Sequence, residues 1–118
     1  MLLPRHYLFK ITDEWMTLRN REDILSLLSR HQAEIQGFGV LRCGLFGSYV
    51  RNDASDNSNI DILVEFRPDK KSYKNYIRLV FYLEDLLGMH VDLVTKEALS
   101  PYIGPHIMRE VEYVPFSA

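Results

Sequence analysis

One cysteine, Cys43, is all the thiol chemistry this chain carries. An intramolecular disulfide is therefore excluded, and a lone thiol suits the reducing cytoplasm. No apolar stretch approaches the roughly 20 residues that span a bilayer. Met1 to Lys10 lack a basic start followed by a sustained apolar run, so no signal peptide is expected. An excess of positive charge is missing too. The net charge is −2 and the pI about 6.1, which leaves no electrostatic footprint for general nucleic-acid binding. The histidines His6, His90 and His106 are scattered and form neither a zinc spacing nor a nucleophilic triad. Internal repeats, linkers and low-complexity segments are also lacking. What remains is an ordinary globular composition, 47% hydrophobic and 25% charged over 118 residues, enough for one domain with a single core.

Asn20 is a good helix N-cap, with Glu22 and Asp23 in the first turn. Ile24, Leu27, Leu28, His31 and Ile35 recur at helical spacing and predict a helix that stops near Gly37. His31 on that stripe reads as a packed or boundary histidine. Val40 to Phe46 is a short apolar run closed by Gly47, a buried strand with Cys43 as a small core residue. Ile60 to Phe66 is a second strand, ending before Pro68. Tyr73 to Leu87 fits a second helix, ended by Gly88. Phe81, Tyr82 and Leu86 widen its apolar face, which points either to a helix wedged in the core or to a partner surface. Val91 to Val94 is a third strand. His106 to Val111 is a last helical turn, and Glu112 to Phe116 a frayed end or an edge strand. Residues 1–19 form an N-terminal extension packed on the domain or on a partner. Within it Tyr7, Phe9 and Ile11 alternate like a short strand, and Trp15, Met16 and Leu18 read as a hydrophobic plug. Residues 20–118 then make a small α/β (α+β) domain with a mixed sheet flanked by helices.

Asp61 interrupts the apolar run of its strand, and Asp92 interrupts Val91, Leu93 and Val94. A carboxylate in such a run costs free energy unless it is paired or coordinated. Each aspartate alone reads as a helix cap or an arginine partner. On neighbouring strands the two would meet at one edge of the sheet, and their hard oxygens suit Mg²⁺ with substrate phosphates. Upstream, Gly47-Ser48 ends the first strand. A helix starting there would offer free N–H groups and the Ser48 hydroxyl to an anion. Arg51 either adds positive charge beside a phosphate or pairs with Asp53 or Asp56. Positions 59 and 61 share a strand face, so Asn59 is drawn into the same group. His90 would share the face of Asp92 if the third strand begins that early.

Gly47-Ser48, ten intervening residues, then Asn59-Ile60-Asp61, Leu63-Val64 and later Val91-Asp92-Leu93-Val94 resemble the minimal nucleotidyltransferases of the DNA polymerase β-like superfamily. More narrowly, they resemble the small antitoxin-type proteins paired with helical HEPN partners. The resemblance runs from about Ile24 to Val111. It implies the polymerase β-like palm fold, a triphosphate held by Gly47 and Ser48, and Asp61 and Asp92 as two of three metal-binding carboxylates. Arg51 matches a position that is often basic in the family. The resemblance also implies two Mg²⁺ ions, a nucleoside triphosphate such as ATP, and transfer of AMP to a tyrosine of a HEPN-type partner in the cytoplasm. A homo-oligomer is left open.

Position 59 departs from the pattern, which has aspartate there. Asparagine offers a carbonyl oxygen but no negative charge, so metal affinity and rate should fall. Asp56, nearby in the loop, is a poor substitute. Two readings follow: an active nucleotidyltransferase weakened at Asn59, or an antitoxin that works by binding its partner.

Overall fold

Asn20 starts the described chain as a cap. Its side-chain oxygen accepts the Asp23 N–H at 3.0 Å, and helix α1 follows over Arg21–Arg30. The structure is a computed structural model that describes residues 20–55 and 57–116. The expected strand at Tyr7 to Ile11, the plug of Trp15, Met16 and Leu18, and Asp56 therefore lie outside the described residues.

The helix expected to run to Gly37 is instead interrupted at His31 (φ −107°, ψ 24°). There the N–H bonds three residues back, to the Leu28 carbonyl at 3.2 Å, and this tightens the turn. Helix α2 resumes over Gln32–Gly37. Ile24, Leu28 and Ile35 are all fully buried, so both segments serve one core.

Strand β1 (Val40–Phe46) leads into a single helical turn, α3 (Ser48–Arg51), and then strand β2 (Ile60–Phe66). Helix α4 (Tyr73–Leu87) is capped by Ser72 and ends at Gly88. It crosses over to strand β3 (Val91–Thr95), which pairs parallel with β2, whereas β2 pairs antiparallel with β1. Helix α5 begins at Gly104, two residues earlier than expected, with Pro105 in its first turn, and runs to Glu110. The two-residue strand β4 (Glu112–Tyr113) then lies along the other edge of β1. The four-stranded mixed sheet thus has the order β3-β2-β1-β4.

Side chains alternate across a strand, so the sheet has two unlike faces. Cys43, Leu45, Ile60, Ile62, Val64 and Leu93 face one way and pack with α1, α2 and α4 into the main core. On the opposite face a small cluster of Phe46, Leu63 and Ile107 is the only buried apolar group among the described residues. Asp61 and Asp92 belong to this thinly covered face.

Helix α4 buries part of its surplus of apolar residues and leaves part exposed. Leu86 is buried and Tyr82 stacks at a tilt on Phe38, with 5.3 Å between ring centres. Tyr73 and Phe81 remain open to solvent. Leu83 is packed on all sides, so Leu83→Ala should cost about 3 kcal/mol in urea unfolding. Phe81→Ala on the same helix should change stability by less than about 0.5 kcal/mol. Equal costs would contradict this division of the helix.

Candidate active site

The site grows from the end of β1. At Gly47 the backbone takes φ 79° and ψ −151°, a region that side chains avoid. A Cβ there would also land on the Asp61 carboxylate. Both conformation and space therefore demand glycine, and backbone and carboxylate lie in contact. The Gly47 carbonyl then accepts the N–H groups of Val50 and Arg51 at 3.1 and 3.2 Å, closing the one turn of α3. A first-turn N–H such as that of Ser48 has no partner within a helix.

Asp61 and Asp92 stand directly opposite one another in the parallel β2/β3 register, with Phe46 opposite Asp61 on β1. The topology thus brings together the two aspartates that the sequence singled out. Glu65, four residues along the same face, is held by Arg42 at 2.7 Å and Lys96 at 4.0 Å. Asp61 has no ion pair of this kind among the described residues. Burial, the negative charge of Asp92 and that of Glu110 push the Asp61 carboxyl up to about 6, against the pull of Arg51. A shared hydrogen bond with Asp92 pushes the same way.

Asn59 reaches the pair with its amide nitrogen, which donates to Asp92 Oδ2 at 3.2 Å. Its carbonyl oxygen is the atom a metal would need, and it is not the one engaged. Arg51 pairs with Asp53 through Nε at 3.3 Å, as one of the sequence readings had it. A stronger partner was missed. Glu110, from the end of α5, meets Arg51 Nη1 with both carboxylate oxygens at 3.1 and 3.2 Å and accepts the Gly47 N–H at 3.1 Å. Nothing local marks Glu110, because its partners lie about sixty positions away in the chain. His90 does not join the site. Strand β3 begins only at Val91, and His90 is exposed, 3.4 Å from Glu84. The Cys43 thiol lies on the core face, and burial pushes it up to about 12.

Beside the carboxylates lies an open cleft of about 570 Å³. Asp61 and Asp92 line it together with Phe46, Leu99, Ile103 and Ile107, and Tyr76 and Val80 of α4 line it as well. Its size falls within the usual range for small-molecule sites. Among the described residues no three His, Cys, Asp or Glu side chains cluster as a metal site. The donor set is two carboxylates and an amide. That set still fits Mg²⁺, which usually takes one or two carboxylates and completes its shell with water and substrate phosphate.

Residues 21–116 match the pattern of the nucleotidyltransferase domain family. The chain belongs to that family. It is 45% identical over 100 residues to the protein adenylyltransferase MntA of Thermococcus cleftensis, a match covering 84% of this chain and all of that protein. A solved structure provisionally assigned as a minimal nucleotidyltransferase superimposes with a TM-score of 0.70 at 28% identity, over 81% of this chain and 97% of that one. A toxin–antitoxin crystal structure with AMP-PNP shares the fold, with a TM-score of 0.60 at 22% identity over 75% of this chain and 73% of that one. The chain is therefore a nucleotidyltransferase, and its mixed sheet is that of the minimal members. No helix among the described residues is long and apolar enough to cross a membrane.

The raised Asp61 carboxyl has a consequence for stability. Its folded value of about 6 exceeds the ordinary 3.8, so at intermediate pH the native chain binds a proton that the unfolded chain has released. This group's contribution to stability therefore rises as pH falls through about 6 and is complete below the unfolded value. Asp61→Asn should flatten that slope and raise the urea midpoint at pH 7. Unfolding curves collected between pH 4 and 7 check this, and an unchanged slope in the variant would contradict it.

Proposed function

We propose that this nucleotidyltransferase moves AMP from Mg²⁺-bound ATP to a hydroxyl of a helical HEPN-type partner, and so serves as the antitoxin of a two-component pair. The observation that carries the proposal is the register of Asp61 with Asp92, facing a glycine turn that admits no side chain. The 45% identity to a protein adenylyltransferase, over that protein's full length, supports AMP and a protein acceptor. A solved MNT antitoxin of the same fold, at 20% identity, is in complex with a tri-AMPylated HEPN toxin.

The chain's own residues divide the work. The turn at Gly47 and the Ser48 N–H and hydroxyl receive the triphosphate, with Arg51 beside them. Asp61 and Asp92 would hold the divalent ions, with water and substrate phosphate completing their shells. The apolar walls of Leu99, Ile103 and Val80 cover an uncharged base. Bound Mg²⁺ would lower the pKa of the acceptor hydroxyl and neutralise charge on the leaving group. In the transfer, the acceptor oxygen bonds to the α-phosphorus, the bond from that phosphorus to the bridging oxygen breaks, and pyrophosphate leaves. The hydroxyl proton passes to solvent. The two-ion count, the ATP preference and the cytoplasmic setting belong to this same proposal.

Asn59 favours a second reading, an antitoxin that binds its partner with little turnover. Its amide donates to Asp92 where the family pattern has a third carboxylate. Transfer of label from α-labelled ATP to a co-purified partner separates the two. The transferase reading expects transfer that EDTA abolishes. It also expects Mg²⁺-dependent ATP binding, read by calorimetry, that is lost in Asp61→Ala. Asn59→Asp should raise the rate about tenfold or more, the scale on which outer partners tune metal sites. A stable complex without transfer in either chain would favour binding alone, and ATP binding untouched by Asp61→Ala would sink the metal assignment.

A further inference from the structure

Helix α5 ends where the phosphate turn begins, and its end is fixed in place. The strand after it, β4, pairs with β1 at Gly44 and Leu45. Gly44 has no room for a Cβ because Val111 and the Glu112 carbonyl lie against it. The Val114 N–H reaches the Cys43 carbonyl at 2.8 Å, and Arg21 holds Glu112 at 3.1 Å. One turn before Glu110, Ile107 sits in the wall of the cleft. Glu110 therefore stands between a fixed strand and the substrate space.

Its carboxylate is three-quarters buried and lies close enough to Asp61 for the two charges to repel. Such a position is unfavourable unless something compensates it. The compensation comes from two donors, the buried Gly47 N–H and the Arg51 guanidinium, and both belong to the turn that would meet phosphate. Gly47 has left the β1 ladder, so its N–H has no strand partner to fall back on. Yet Glu110 does not exhaust the turn. The Ser48 hydroxyl and Arg51 Nη2 have no partner among the described residues. A phosphate can therefore be met without expelling the carboxylate.

We propose that Glu110 is a positioning residue for the triphosphate. It holds the Gly47 turn and the Arg51 guanidinium in the shape that receives phosphate, and it ties that shape to the helix that walls the cleft. This rests on reading Gly47 to Arg51 as the phosphate site. The opposite role, a carboxylate that mimics phosphate and competes with it, makes the contrary prediction for binding.

The test uses the full chain with Mg²⁺ and a non-hydrolysable ATP analogue, titrated by calorimetry. Glu110→Ala should weaken binding about tenfold, which corresponds to about 1.4 kcal/mol. Glu110→Gln keeps an acceptor oxygen for both donors and should stay within about threefold of the parent. Amide hydrogen exchange should show Gly47 losing protection in the alanine chain while Cys43 and Leu45 keep theirs. Tighter binding in Glu110→Ala would establish the competitor and overturn the proposal. A lowered melting temperature with unchanged affinity would overturn it too, since a merely structural contact behaves that way. Should the alanine chain not fold, Glu110→Asp, one methylene short of its donors, should bind more weakly than Glu110→Gln, and the reverse order overturns the proposal. If the parent chain itself does not bind the analogue, the triphosphate site falls. Gly47 exchange would then still report whether Glu110 holds the turn.

Discussion

Two carboxylates placed opposite one another on adjacent parallel strands repel, and the rest of the site is arranged around that repulsion. A sheet normally answers an inward-facing charge with an opposite one, as β1 answers Glu65 with Arg42 at 2.7 Å. Asp61 receives no such partner. It meets a glycine backbone too close for any side chain, a second aspartate in register, and an arginine already shared between Asp53 and Glu110. The carboxyl is left partly desolvated and hard to ionise, unlike a carboxylate in a settled ion pair.

Much of this could be read from the chain because strand alternation is a local signal. Asp61 and Asp92 stood out by interrupting apolar runs, and Gly47 by closing one. The period of two then said which neighbours would share their face. The parallel register that joins the aspartates needs only that β2 and β3 be neighbours, and a crossover helix between two strands favours that. Helix α1 announced its start through Asn20, Glu22 and Asp23, whereas its break at His31 had no glycine or proline to mark it. Glu110 was illegible for a different reason. Its role depends on a three-dimensional meeting of a C-terminal helix with the end of β1, and a lone glutamate before Val-Glu-Tyr carries no spacing that encodes such a meeting. The direction of the Asn59 amide was likewise invisible, because sequence gives the group and not which of its atoms faces Asp92.

Asn59 and Glu110 act on the same region from opposite sides. The amide brings a neutral donor to Asp92. The glutamate brings charge near Asp61 from an element outside the motif. Three carboxylates, Asp61, Asp92 and Glu110, thus stand in one region. Their placement differs, since Glu110 is committed to Arg51 and Gly47.

The unequal faces of the sheet carry a consequence for how such a protein can change over time. Most of the buried apolar residues lie with α1, α2 and α4, while the face of Asp61 and Asp92 holds only Phe46, Leu63 and Ile107 in its buried cluster among the described residues. Substitutions on that second face draw little on the reserve that keeps the chain folded. A polar residue such as Asn59 can therefore change there while the scaffold persists. The sheet works as a partition that lets activity and foldedness evolve at separate rates.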